Sequence, residues 1–173
     1  AKELASIKRV VVTSSVVAIV TDGAECEEVF EKTGKMVNEE HWNSVASIDY
    51  SPYSYSKTLP EKAAWDFMKE NDCAYDLVVC NPGFVMGPGV KIHSGAESYD
   101  FMINAGKGFF SSGAPDLNFV VVDVRDVAKG HIAAGFLPAE IVAGQRYVLG
   151  GSNSGLKEIA ALLHEKYPTY SIS

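Results

Sequence analysis

Tyr53 and Lys57 stand four residues apart in the stretch Asp49–Glu70, DYSPYSYSKTLPEKAAWDFMKE. On a helix that spacing puts both side chains on one face, a turn apart. An ammonium beside a phenol stabilises the phenolate. The phenol then becomes a usable proton donor near neutral pH, where an ordinary tyrosine, ionising at about 10, is a poor one. Any helix can carry such a pair by chance, so the neighbours must decide. Two neighbours stand at strand ends. Thr13-Ser14-Ser15 closes one apolar run, and Asn81-Pro82-Gly83-Phe84-Val85-Met86-Gly87-Pro88-Gly89 leaves another. In parallel α/β sheets, ligands sit beyond the carboxyl ends of strands. Serine hydroxyls placed there can bond a substrate oxygen, or simply satisfy the turn. Val16–Val20 is apolar and would follow the serines into a cleft.

Positioning these groups requires a strand, a helix and a second strand. Lys8–Thr13 carries Val10, Val11 and Val12 in a row, the pattern of a strand covered on both faces. Tyr75–Cys80 (YDLVVC) reads as a second such strand. The helix between them is expected over about 52–71, with Tyr53, Lys57, Pro60, Ala64 and Phe67 on one face. Pro60 interrupts that helix, since an internal proline loses a hydrogen bond and costs about 3 kcal/mol. Thr58-x-x-Glu61 is also a capping-box pattern. A helix starting at Thr58 would leave Tyr53 and Lys57 on a loop, so a longer helix distorted near Pro60 is favoured. Strand, helix and strand form one βαβ unit. The serines and the Pro/Gly loop would then lie side by side on one rim.

Elsewhere, Ala1–Ile7 reads as the end of a helix, Ser94–Lys107 as a helix and Asn118–Val122 as a third strand. Asp123–Ala128 turns into a helix through about Phe136, with Asp123 or Val124 as its cap region; Gln145–Leu149 reads as a short strand and Leu156–Tyr167 as an amphipathic helix. Arg125 and Asp126 read as structural, and 38–43 as a capped turn.

The 173 residues are 47% hydrophobic and 21% charged, the composition of a globular domain. A net charge of −7 with no basic cluster argues against a nucleic-acid partner or an anionic membrane surface. No apolar run approaches the ~20 residues of a membrane span. Cys26, Cys73 and Cys80 are odd in number and lack a CxxC, which favours structural thiols in a reducing, cytoplasmic setting. No metal site is expected. Gly-x-Gly-x-x-Gly, Walker and Gly-x-Ser-x-Gly patterns are all missing.

The chain resembles the extended short-chain dehydrogenase/reductases, nearest the branch of dihydroflavonol reductase, cinnamoyl-CoA reductase and the fungal methylglyoxal and carbonyl reductases. Four segments carry the resemblance in order: Lys8–Ser15, Tyr53–Trp65, Asn81–Pro88 and Val122–Ala128. It implies an α/β fold, the second half of a Rossmann-like doubly wound parallel sheet plus part of a small substrate domain. The core would take about 1–88 and 118–136, and the substrate segments about 89–117 and 137–173, all within one partial domain. Ser15, Tyr53 and Lys57 would be the catalytic residues. Tyr53 and Lys57, with Pro82, Gly83, Phe84 and Val85, would also bind the cofactor, NADP(H) in preference to NAD(H). Ser15, Val16 and Phe84 would meet a small carbonyl substrate.

The implied reaction moves hydride from the nicotinamide to a carbonyl carbon while Tyr53 protonates the oxygen. The family's glycine-rich start would lie on the order of 100 residues before Ala1. The chain therefore reads as an internal fragment with an unpaired sheet edge, open to self-association. Two other readings share these residues. One is a nucleotide-sugar epimerase or dehydratase, against which the apolar Val16–Val20 argues. The other is a folded fragment without activity.

Overall fold

The computed structural model describes residues 6–91, 95–110, 112–113 and 115–169. In chain order its elements are β1 (Arg9–Thr13), a single 3-10 turn (Val16–Ala18), α1 (Gly23–Thr33), α2 (Pro52–Glu70), β2 (Asp76–Pro82), β3 (Phe84–Met86), α3 (Glu97–Gly106), β4 (Asn118–Asp123), α4 (Val124–Phe136), α5 (Ala139–Val142), β5 (Arg146–Leu149), β6 (Ser152–Gly155) and α6 (Leu156–Lys166). The helix end expected at 1–7 lies largely outside the described residues, as does Ser94. Two compact units emerge. The first runs to Gly83 and adds Asp126–Leu149; the second takes Phe84–Arg125 and the residues from Gly150 on.

The first unit holds an all-parallel sheet in the order β1-β2-β5. Val11 lies opposite Val78, and Cys80 opposite Tyr147. Parallel neighbours need a crossover, and α2 supplies it between β1 and β2. Val78, Cys80, Ala134 and Val142 form the buried core, joined by Val11, Tyr147 and Leu149. Gly130 lets α4 approach β5 closely: a Cβ there would sit 2.9 Å from the Leu149 methyls. Arg9 ties the end of α4 to the sheet, donating to the carbonyls of Ala134 (3.1 Å) and Leu137 (2.6 Å) and pairing with Asp76.

The two valine-rich runs fare differently. Six of the seven residues of β2 are buried, as a strand covered on both faces should be. Among the described residues β1 pairs with β2 alone, and Val10, Val11 and Val12 are only half-buried. The expectation of full cover therefore holds for β2 and not for β1.

The second unit holds a mixed sheet, β3-β4-β6, with β3 and β4 parallel and β4 and β6 antiparallel. Asn118–Asp123, read from sequence as a third strand and assigned with the Rossmann-like core, lies in this sheet. The third strand of the parallel sheet is instead Arg146–Leu149. Burial along β4 broadly alternates, the mark of a strand with one covered face rather than two. Its core is aromatic: the Phe84 ring stands 5.4 Å from Phe101 and 5.3 Å from Phe119, and Phe101 is 5.7 Å from Phe110.

Candidate active site

Helix α2 runs unbroken through Pro60, so Tyr53 and Lys57 both lie on it, as the longer-helix reading predicts. Pro52 opens the first turn, where its missing N–H has no helical partner to lose. Ser51, just before it, takes a left-handed φ of +52°, and its hydroxyl lies 2.8 Å from that of Ser54. Such a backbone costs a non-glycine residue about 1 kcal/mol or more, and it persists only where the surroundings fix it.

The buried face of α2 is not the expected one. Ser54, Thr58 and Glu61 are buried, in steps of four and three. Tyr53, Pro60 and Phe67, from the predicted core face, are exposed. Periodicity ranks faces by hydrophobicity, and here the face turned inward is polar. Thr58 spends its hydroxyl on the Ser54 carbonyl at 2.8 Å, and the Glu61 carboxylate is neutralised.

Tyr53 is 55% exposed, and the Lys57 ammonium lies 5.8 Å from its ring centroid. Neither the phenol oxygen nor the ammonium makes a hydrogen bond or ion pair among the described residues. Two other tyrosines behave differently. Tyr50 donates to Asp22 at 2.9 Å, and Tyr147 to the Ile141 carbonyl at 3.0 Å.

Ser15 follows β1 in extended backbone and caps the 3-10 turn, its Oγ accepting from the Val17 N–H at 3.4 Å. The same hydroxyl points to the Pro82 carbonyl at 3.5 Å. Ser14 donates its backbone N–H to the Cys80 carbonyl at 2.7 Å. The serine run and the end of β2 thus meet on one rim, and α2 packs against the turn and β2. Val16 opens the turn half-buried. Pro82 ends β2, and Gly83 donates to the Leu149 carbonyl at 3.0 Å. Phe84 and Val85 belong to β3 in the second unit, Phe84 in its aromatic core and Val85 opposite Val122.

Sequence reading missed the side chains behind the rim. Glu61 read as part of a capping box and of the Tyr53–Trp65 resemblance, with no role of its own, and Arg146 drew no attention. Arg146 Nε bonds Glu61 Oε1 at 2.5 Å, and Asn81 Nδ2 bonds Glu61 Oε2 at 2.8 Å. A charged residue in an otherwise apolar strand, RYVL, was the available signal. Three buried polar atoms stay unpartnered near these elements: Ser14 Oγ, Asn81 Oδ1 and Trp65 Nε1.

The Glu25 N–H and the Tyr50 hydroxyl hold the Asp22 carboxyl below the usual carboxylate range, and the bond to Asp22 pushes Tyr50 up. Burial raises the thiols of Cys80 and Cys26, the latter helped by Glu25. A cleft of about 320 Å³ on α1, lined by Cys26, Glu27, Phe30, Glu31 and Met36, contains none of the candidate residues. Among the described residues no acidic, His or Cys cluster could hold a metal, and no helix is long and apolar enough to cross a membrane.

No family model matches the chain. Individual proteins do. Cinnamoyl-CoA reductase of Medicago truncatula is 33% identical over 96% of this chain and 48% of its own length. The NADPH-dependent methylglyoxal reductase of Saccharomyces cerevisiae is 31% identical over 94% of this chain and 49% of its own. The solved structure of the yeast methylglyoxal/isovaleraldehyde reductase with NADPH superposes with a TM-score of 0.75 over 96% of this chain and 50% of that one, at 28% identity. The chain's homologues are extended short-chain dehydrogenase/reductases. Its α/β fold with a parallel sheet is the Rossmann-like fold of those short-chain reductases. The chain spans about half the length of the curated relatives it matches. UDP-glucose 4-epimerase of Thermus thermophilus, in complex with NAD, shares the fold at a TM-score of 0.62 and 20% identity.

Proposed function

We propose that this chain carries the proton-delivering part of an NADPH-dependent reductase that converts an aldehyde or ketone to an alcohol. The observation that carries the reading is the Tyr53–Lys57 pair. Tyr53 is exposed and Lys57 half-buried, one helical turn apart, with no side-chain hydrogen bond on either among the described residues, on a helix that packs against the turn capped by Ser15 and against β2, which ends at Pro82. Relatives named as NADPH-dependent reductases, aligned over nearly all of this chain, support the cofactor and the reaction class.

Tyr53 and Lys57 would hold the nicotinamide ribose, with Pro82 and Gly83 beside the ring; NADPH supplies the hydride when bound. The Ser15 hydroxyl donates to the carbonyl oxygen and orients it. Tyr53 gives that oxygen its proton as negative charge develops there. The Lys57 cation stabilises the phenolate that is left. Val16 offers an apolar wall that suits a small aldehyde or ketone better than a sugar, against the epimerase alternative.

The test is turnover of small aldehydes followed by NADPH absorbance, with NADPH binding measured separately by calorimetry. Tyr53→Phe should lower kcat about 10²- to 10⁴-fold, some 3–5 kcal/mol of transition-state stabilisation. Near-normal turnover in that variant would remove Tyr53 from the mechanism. Epimerisation of a nucleotide sugar without net NADPH consumption would favour the alternative.

A further inference from the structure

Every carbonyl of the serine turn accepts a hydrogen bond. Ser15 O accepts from the Ala18 N–H within the turn at 3.0 Å and, from outside it, from Asn81 Nδ2 at 3.1 Å. Val16 O accepts from the backbone N–H of Ile19 at 2.9 Å. Val17 O accepts from Asn43 Nδ2 at 2.7 Å, and Ala18 O from the Asn43 N–H at 3.1 Å. Asn81 is fully buried and spends its second amide hydrogen on Glu61. Glu61 is 1% exposed, and Arg146 closes the chain of contacts. The Arg146 guanidinium also donates to the Glu39 and His41 carbonyls at 2.8 and 2.5 Å and lies 3.8 Å from the centre of the Trp42 ring.

A buried ion pair adds little stability over an apolar pair of equal volume, because desolvation offsets the attraction. What it adds is direction: carboxylate, amide and guanidinium fix one another's orientation as apolar groups cannot. Glu61 stands one turn after Lys57 and about 12 Å along the axis from Tyr53 on the same helix. A bond from Glu61 through Asn81 to the Ser15 carbonyl therefore ties the serine turn to the helix bearing the Tyr–Lys pair.

We propose that Glu61 and Asn81 are positioning residues. Held by Arg146, they lock the Ser15 turn onto α2 and so set the Ser15 hydroxyl relative to Tyr53 and Lys57. The catalytic consequence rests on the reductase reading; the lock itself does not. The experiment compares Asn81→Ala with a core control, Val78→Ala, in two assays.

In the ¹⁵N-labelled chain, Asn81→Ala should shift the amide resonance of Val16, whose peptide carbonyl is Ser15 O, while Val78→Ala leaves it in place. In the reductase assay, Asn81→Ala should lower kcat about 10- to 100-fold, the scale of a small misplacement, with the carbonyl KM nearly unchanged. Val78→Ala should keep kcat. An unmoved Val16 amide overturns the lock. A moved amide with wild-type kcat, or an equal kcat loss in Val78→Ala, overturns the positioning role. If a wild type that binds NADPH reduces no carbonyl, the reductase reading falls, and the lock stands or falls on the Val16 resonance alone.

Discussion

The two compact units each have an apolar core and differ in what accompanies it. In the first, a buried carboxylate, a guanidinium and an amide sit under a parallel sheet, and each bond has one geometry that works. In the second, four phenylalanine rings pack edge to face and tilted, at 5.3 to 5.7 Å between centroids. Rings in contact tolerate several neighbours and small rotations. Directional bonds do not. The unit carrying the candidate residues Ser15, Tyr53 and Lys57 thus adds directional bonds to its apolar core, and a site needing donors fixed to within about 0.5 Å would gain from them.

Arg146→Ala is the hardest test of that contrast. It leaves the Glu61 carboxylate buried without its cation and should cost about 3–5 kcal/mol, read as a fall in the urea midpoint. Replacing Glu61 and Arg146 together by leucine and methionine should restore most of that stability. A double variant as weak as the single one would mean the charges themselves stabilise the sheet. Phe101→Leu in the second unit should cost less, about 1 kcal/mol for the lost ring pairs. A loss as large as that of Arg146→Ala would erase the distinction between the units.

The smallest effect separates buried from exposed directional bonds. Asp22 caps α1 at the surface, accepting from the Glu25 N–H at 3.0 Å. Asp22→Ala should cost about 1 kcal/mol at pH 7. The carboxyl titrates below its unfolded value in the folded chain. Its contribution is therefore complete above about pH 3.9 and is lost as pH falls through the lower folded value. The midpoint difference between wild type and Asp22→Ala should vanish in acid; a difference that survives there would assign the cap's worth to something other than the carboxylate.

Much of the placement of the candidate residues was legible in the chain itself. Four-residue spacing put Tyr53 and Lys57 on one helical face, and α2 spans Pro52–Glu70 close to its expected bounds despite Pro60. The βαβ order brought Ser15 to Pro82. The inward face of α2 was illegible because hydrophobic periodicity cannot recognise a buried stripe of Ser54, Thr58 and Glu61. Asn118–Asp123 was misassigned because a valine run does not say which sheet will take it.

By itself, then, the sequence determined the local elements and the pairing of neighbouring ones: spacing on a helix and the strand–helix–strand crossover act over a few tens of residues. The partner of Glu61 was decided only by the tertiary structure. Arg146 lies 85 residues further along and reaches the carboxylate because β5 pairs with β2. The cost of burying a charge is met by whichever opposite charge the fold delivers, and no local pattern records that delivery. The difference between β1 and β2, two similar apolar runs, was likewise settled by how many neighbours each strand acquired.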